Sequence, residues 1–229
     1  MIELFPEGFE ESRDSGGVVL AAFTDEAGAE RLRARFFDVV VETVPDGWED
    51  EWKRFHRGVE IGPLWVGPPW EEPATGLMPV VIDPGRAFGT GAHPTTQLCL
   101  ELLDELERGS LVDLGCGSGV VAIAAARLGF SPVTAVDFDD AAIEATERNA
   151  AANGVDVEAR LVDLLADPAP LADAVVANID LRTIELLRPE AASVVTSGYY
   201  AVDQPQIPGF RRHERRVRAE WAADLFRRE

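Results

Sequence analysis

Leu111-Val112-Asp113-Leu114-Gly115-Cys116-Gly117-Ser118-Gly119 decides the fold of this chain. Three apolar residues and an acid read as a short strand, the glycines at every second position as a sharp turn, and Gly119–Leu128 as the helix that follows. Glycine has no Cβ, so the backbone can turn tightly there and a ligand can approach it closely. The spacing is G-x-G-x-G, not the G-x-G-x-x-G of dinucleotide binders, and no G-x-x-x-x-G-K sequence for triphosphates is present.

C-terminal to this turn, short apolar runs alternate with helical patterns. Strands are expected at Val133–Val136, Val157–Leu161, Ala174–Ala177 and Ser193–Val202, and helices at Asp140–Ala152 and around Thr183–Leu187. Such alternation gives a mainly parallel sheet with helices on both faces, and sheets of this class bind ligands at the carboxyl ends of their strands. Two polar residues fall there. Asp137 ends the strand Thr134-Ala135-Val136, where a carboxylate can accept hydrogen bonds from both ribose hydroxyls of an adenosine ligand. Asn178 ends Ala174–Ala177; Asn at a strand end is also a common turn former, so its significance rests on its place beside the glycine turn and Asp137.

N-terminal to the turn, residues 83–96 form a long irregular stretch rich in Gly, Pro and small hydroxyls, leading into an amphipathic helix expected over Gln97–Leu106. Hydroxyls and backbone amides at a helix head suit an anion such as a carboxylate. His93 reads either as a general base or as a hydrogen-bonding brace for this stretch. With 3 histidines in the chain, no metal cluster or serine-type triad can be assembled, so no metal site is expected.

Three zones result. Residues 81–229 form the ligand-binding domain. Residues 46–80 form a Trp-rich linker carrying Trp48, Trp52, Trp65, Trp70 and a strand at Leu64–Val66, its aromatics serving either domain packing or a binding platform. Residues 1–45 read as strand Val18–Phe23, a helix from Thr24 to Phe36 and strand Asp38–Val44, a unit too small to bury much surface alone.

Hydrophobic residues make up 46% of the chain and charged residues 27%, a balance that excludes disordered and disulfide-scaffold classes. Cys99 and Cys116 are expected as reduced thiols; with no signal peptide and no apolar run of about 18 residues, a cytoplasmic protein without membrane contact is expected. Forty-one acids against 21 bases leave a net charge of -20, which opposes direct nucleic-acid binding because polyphosphate must be neutralised by Lys and Arg. A basic protein partner fits this charge, although acidity also serves solubility.

In chain order, Asp83-Pro84-Gly85-x-Ala87-Phe88-Gly89-Thr90-Gly91-x-His93-Pro94-Thr95-Thr96, the Asp113–Gly119 turn, Val136-Asp137-x-Asp139, Asn149-Ala150-x-x-Asn153-Gly154 and Val176-Ala177-Asn178-Ile179 resemble the ribosomal protein L11 methyltransferase family (PrmA type). The resemblance covers about residues 46–200. It implies a class I methyltransferase using S-adenosyl-L-methionine. The fold implied is α/β, a Rossmann-like seven-stranded sheet with helices on both faces, plus a small truncated α+β (half ferredoxin-like) N-terminal domain for substrate recognition. By position, the resemblance implies that Thr96, Gly115, Gly117, Asp137 and Asn178 bind the cofactor, that Phe88, Gly89, Thr90 and Gly91 lie near its methionine end, and that Asn178 and Phe88 act on the substrate. The activity implied is N-methylation of lysine side chains or the N-terminal amine of a large-subunit ribosomal protein. The alternatives are a lysine methyltransferase for a different protein and a non-catalytic cofactor-binding assembly factor. Asn178-Ile179 differs from the Asn-Pro-Pro-aromatic signature of enzymes acting on planar amides or adenine, which favours an aliphatic amine.

Two departures from the family pattern stand out. The N-terminal zone matches only the second half of the recognition domain. Beyond Ser197-Gly198 the chain passes through Asp203-Gln204-Pro205-Gln206, where the family has a helix, before a closing hairpin at Glu214–Arg228. This shortening is expected to loosen the sheet edge or to mark a specialised branch. The basic cluster Arg211, Arg212, Arg215, Arg216 and Arg218 reads as an exposed strand face.

Overall fold

The computed structural model describes residues 10–14, 17–21, 24, 26–36, 38–41, 57–83 and 91–229. The chain divides into two compact units, Met1–Glu51 and Trp52–Glu229. In the first, β1 (Glu10–Asp14) and β2 (Gly17–Ala21) form an antiparallel hairpin, and α1 (Glu26–Arg35) follows. The polar sequence Glu10-Glu11-Ser12-Arg13-Asp14 has no apolar alternation and gave no strand signal, yet it supplies the ladder partner of β2. Residues 38–41, part of the expected strand Asp38–Val44, are irregular, so the described residues form a hairpin and a helix where strand, helix and strand were expected. Residues 42–44, Trp48 and Trp52 lie outside the described residues.

The second unit opens with β3 (Val59–Ile61), β4 (Leu64–Gly67) and β5 (Met78–Val81), a three-stranded sheet in that order, antiparallel then parallel. Part of the stretch read as a linker is therefore sheet: Leu64, Val66, Val80 and Ile82 are buried in the main core. Then come α2 (Pro94–Asp104), β6 (Leu111–Leu114), α3 (Val120–Leu128), β7 (Val133–Asp137), α4 (Asp140–Asn153), β8 (Glu158–Leu161), β9 (Ala174–Asn178), α5 (Leu181–Leu186), β10 (Ser193–Tyr200), β11 (Phe210–Arg218) and β12 (Trp221–Arg228). The seven-stranded sheet has the order β11-β12-β10-β9-β6-β7-β8. It is parallel from β10 to β8, and β12 runs antiparallel to both its neighbours. Among the described residues no helix is long and apolar enough to cross a membrane.

Alternation along the strands builds two cores, as burial of both faces of a parallel sheet requires. Leu111, Val133, Ala135, Val176, Val195 and Leu225 face the layer of α2, α3 and the three-stranded sheet. Val112, Leu114, Val136, Val175, Val194 and Phe226 face the layer that holds Ile184 of α5 and Ile207. Helix α2 begins at Pro94, three residues before the expected start, because proline needs no hydrogen bond at the first helical position and the His93 ring accepts from Thr95 N–H.

Residues 201–209 connect β10 to the parallel strand β11 without a helix. They form an extended strap with alternating burial: Pro205 and Ile207 are buried, while Gln204, Gln206 and Pro208 are exposed. The expected loosening of the sheet edge does not occur, because β12 pairs with β10 from Tyr200 to Ser193 and with β11 along its whole length. Arginines of β11 tie the strap and α2 to the sheet edge. Arg215 donates to the Asp203 carbonyl at 2.6 Å and Arg212 to Gln204 Oε1 at 2.7 Å, both on the strap. Arg216 and Arg218 instead reach α2, where they pair with Glu101, Glu105 and Gln97. Arg211 and Arg212 are exposed, as expected, while Arg215, Arg216 and Arg218 are half-buried and, with Arg212, cross-link elements, which corrects the reading of the whole cluster as an exposed strand face.

Beneath the strap Asp224 is fully buried. Its Oδ2 accepts the Tyr199 hydroxyl at 2.8 Å, and the Arg212 and Arg215 guanidinium groups stand 3.6 and 3.7 Å from Oδ1. Burial raises its pKa, opposed by the tyrosine hydroxyl and the two guanidinium groups. Tyr199→Phe leaves Oδ2 without its donor, and the expected cost is about 1–3 kcal/mol of unfolding free energy, read from urea titrations of the two proteins.

Candidate functional site

The carboxyl ends of β6, β7 and β9 meet the glycine turn. After β6 the chain reverses at Gly115, whose N–H, together with that of Cys116, donates to the Val136 carbonyl at 2.8 and 3.0 Å. Gly115 has φ +76°, and a Cβ there would stand 2.3 Å from Ile179 Cγ2, so only glycine fits. Asp137 fixes the turn from the neighbouring strand: its Oδ2 accepts Gly117 N–H at 3.0 Å and its Oδ1 accepts Asp139 N–H at 3.1 Å. Each carboxylate oxygen has a second lone pair, so Asp137 can still accept from a vicinal diol.

Asn178 stands at the end of β9, half-buried, and its Nδ2 donates to Thr96 Oγ1 at 3.3 Å. The fully buried Thr96 lies in the first turn of α2, so the helix that begins at Pro94 orients the amide and leaves Asn178 Oδ1 as its free acceptor side. The backbone beyond Asn178 is pressed against β10. Ile179 N–H donates to Ser197 O at 3.2 Å, and Gly198, with φ +101° at a bulge, could carry no Cβ because the Ile179 carbonyl oxygen would lie 2.1 Å away.

These residues wall a cavity of about 460 Å³, within the range of small-ligand and cofactor sites. Thr96, Gly115, Gly117, Asp137 and Asn178 all lie on its wall. Gly91 instead packs against Val66, where a Cβ would meet Cγ1 at 2.4 Å. Phe88, Gly89 and Thr90 lie outside the described residues. His93 caps α2, accepting from Thr95, and its ring meets Trp221 edge-on at 4.9 Å. Partial burial lowers its pKa.

The cavity wall also includes Asp113, Phe138, Asp163, Leu165 and Thr183, which sequence reasoning did not single out as site residues. Asp163 was within reach of the rule that selected Asp137, since it lies just past the next parallel strand, β8. Phe138, 79% exposed, follows Asp137 directly and offers an apolar surface at the mouth. Asp113 is buried under the turn and accepts Ala122 N–H at 3.1 Å; burial pushes its carboxyl pKa up to about 7. The Cys116 thiol is pushed up to about 12, burial being the main cause, and accepts a hydrogen bond from Thr146 Oγ1 at 3.2 Å. A thiol so raised is no nucleophile near neutral pH. Among the described residues the wall therefore offers a diol acceptor, an oriented amide and apolar surface, without an activated nucleophile, an arrangement suited to binding and alignment.

Comparison with known proteins agrees. The family described as "Ribosomal protein L11 methyltransferase (PrmA)" matches residues 13–203. The chain is 39% identical to the ribosomal protein L11 methyltransferase of Shewanella sediminis, over 83% of this chain and 65% of that protein. It is 44% identical to the protein of that name from Azotobacter vinelandii, over 69% of this chain and 56% of the relative. The crystal structure of ribosomal protein L11 methylase from Lactobacillus delbrueckii subsp. bulgaricus superposes with a TM-score of 0.66 at 30% identity, covering 76% of this chain and 99% of that one. The chain spans 65% and 57% of the length of the first two curated relatives it matches.

Asp113 makes stability depend on pH. Its carboxyl titrates near 4 when unfolded and near 7 when folded, so as pH rises between about 4 and 7 the unfolded state releases its proton first and stability falls. Asp113→Asn keeps an acceptor for Ala122 N–H and removes the titration. Measured from pH 4 to 8, the thermal midpoint of the wild type should drop relative to that of the variant across this window, and parallel curves would contradict the assigned burial cost.

Proposed function

Because the chain belongs to the ribosomal protein L11 methyltransferase family, we propose that it is a cytoplasmic enzyme that transfers methyl groups from S-adenosyl-L-methionine to lysine side chains or the N-terminal amine of ribosomal protein L11. The observation that carries this reading is the Thr96–Asn178 contact at the cavity wall, which orients an amide acceptor within the same cavity as the Asp137 carboxylate. The residues fit the cofactor. Asp137 would hold its ribose, the Cβ-free turn at Gly115 and Gly117 admits it close to the backbone, and Phe138 and Leu165 supply apolar cover near the mouth. When bound, the cofactor supplies an electrophilic methyl group on a sulfonium.

The chain's task is alignment and exclusion of water. A free lysine of pKa about 10.4 costs about 4.6 kcal/mol to deprotonate at pH 7, so the site must favour the neutral amine. Asn178 Oδ1 would accept an amine N–H and aim the lone pair, while Thr96 keeps the amide from turning. Phe88, placed by motif, would supply the apolar surface that favours the uncharged form, with Gly89, Thr90 and Gly91 beside it. The net charge of -20 suits a basic protein substrate and opposes direct binding to nucleic acid. The N-terminal unit would serve in substrate recognition.

The test is incubation with labelled S-adenosyl-L-methionine and purified L11, with a ribosome-depleted lysate in parallel. Label on L11 supports the reading. Label confined to another protein points to a different substrate, and cofactor binding without label points to an assembly factor. Asn178→Ala should lower turnover about 100-fold, as expected for lost alignment, with cofactor affinity changed far less; full turnover in this variant would remove Asn178 from the mechanism. Asp137→Ala should weaken cofactor binding at least tenfold, a loss of about 1.4 kcal/mol measured by calorimetry.

A further inference from the structure

Helix α4 presents Thr146, Asn149 and Asn153 on one face, at i, i+3 and i+7, and all three are buried. Asn153 pairs with Val81 as a neighbouring strand would: its Oδ1 accepts Val81 N–H at 2.9 Å and its Nδ2 donates to Val81 O at 2.7 Å. Strand β5 is the edge of the three-stranded sheet, and this amide closes that edge. Asn149 continues the row two residues on, where its Oδ1 accepts Asp83 N–H at 3.1 Å. Its Nδ2, however, points the other way and donates to Ser118 O at 2.9 Å, inside the glycine turn. One turn earlier, the Thr146 hydroxyl contacts Gly117 O and Cys116 Sγ, each at 3.2 Å.

We propose that Asn149 is a positioning residue of the cofactor site, a single amide that sets the glycine turn against the end of β5. It does not line the cavity. It acts through Ser118 O, which lies between Gly117 and Gly119, and so holds the segment whose Gly117 N–H meets Asp137. Asn149 is 4% exposed, so water cannot readily replace either of its bonds, and its loss removes one hydrogen bond to Ser118 O in the turn and one to Asp83 N–H. Asn153 is the internal control, because it joins α4 to β5 at similar depth but makes no bond to the turn. As a consequence the three-stranded sheet, although absent from the cavity wall, becomes part of the support for cofactor binding. The inference about affinity rests on the proposed cofactor; the inference about the turn does not.

The experiment compares wild type, Asn149→Ala, Asn149→Asp and Asn153→Ala in two measurements: amide hydrogen exchange across residues 115–119 of the free protein, and affinity for S-adenosylhomocysteine by calorimetry. Asn149→Asp keeps an acceptor for Asp83 N–H but sets a carboxylate oxygen against Ser118 O. Both Asn149 variants should speed exchange in the turn and weaken binding about tenfold, the effect of one lost buried hydrogen bond. Asn153→Ala should lower the thermal midpoint without either change. If exchange in the turn is unaltered in the Asn149 variants, or altered equally by Asn153→Ala, the assignment is overturned. If the turn loosens only in the Asn149 variants while the wild type binds no S-adenosylhomocysteine, the cofactor reading fails and the positioning role stands.

Discussion

The carboxylate of Asp137 holds two turns at once. One oxygen takes Gly117 N–H and the other Asp139 N–H, so the glycine turn after β6 and the entry to α4 are set by a single side chain at the end of β7. A parallel sheet opens its strand ends where backbone amides have no ladder partner, and buried amides must be satisfied. Here the partners are carboxylates at the strand ends and at the helix caps that follow them. Asp113 of β6 serves Ala122 of α3, Asp139 caps α4, and Asp180 caps α5. The candidate site is therefore a set of solved backbone problems whose spare lone pairs face a cavity. This is why Asp137 and Asn178 could be picked out at strand ends, while Thr96, on a helix, was placed only by the family motif.

The same logic marks what the sequence concealed. Between Leu111 and Asn178 the central strands β6, β7 and β9 are short apolar runs and each helix has a recognisable cap or glycine stop, so local propensity and tertiary burial agree, whereas the edge strand β8, Glu158–Leu161, is charged and mostly exposed. Strand β1 has only polar and charged residues, and its pairing in a hairpin has no periodic signal. Strands β3 to β5 lie among tryptophans and prolines, and Pro79 sits within β5 itself, a residue usually found at sheet edges. That edge is closed by Asn153, whose partner is 72 residues away in sequence, so no local pattern could reveal it. Asn149 and Asn153 were legible only as parts of a family motif, without a role.

The arginines of β11 teach a related lesson. A run of five basic residues within eight positions looks like a solvated or anion-binding face, and the strand's alternation divides it instead. Arg212 and Arg215 go to the strap and the buried Asp224, while Arg216 and Arg218 go to α2, the helix that carries Thr96. At this edge four arginines stand against Asp224, Glu101, Glu105 and Glu214, so the local charge is balanced and the net charge of -20 does not describe it.

The strap has a consequence for how this chain can vary. Parallel strands are ordinarily joined by a dozen or more residues, and nine suffice here only because residues 203–207 run extended. The return along β12 from Trp221 to Arg228 is about 24 Å, and the ten steps from Tyr200 to Phe210 can reach at most about 35 Å, part of which is spent crossing over a strand and turning at each end. The connection has little slack in one direction only. Residues can be added at exposed positions such as Gln206, but removing two would pull Pro205 or Ile207 out of the core or shift β11 along β12. Length variation at this point is a ratchet, open to growth and closed to loss.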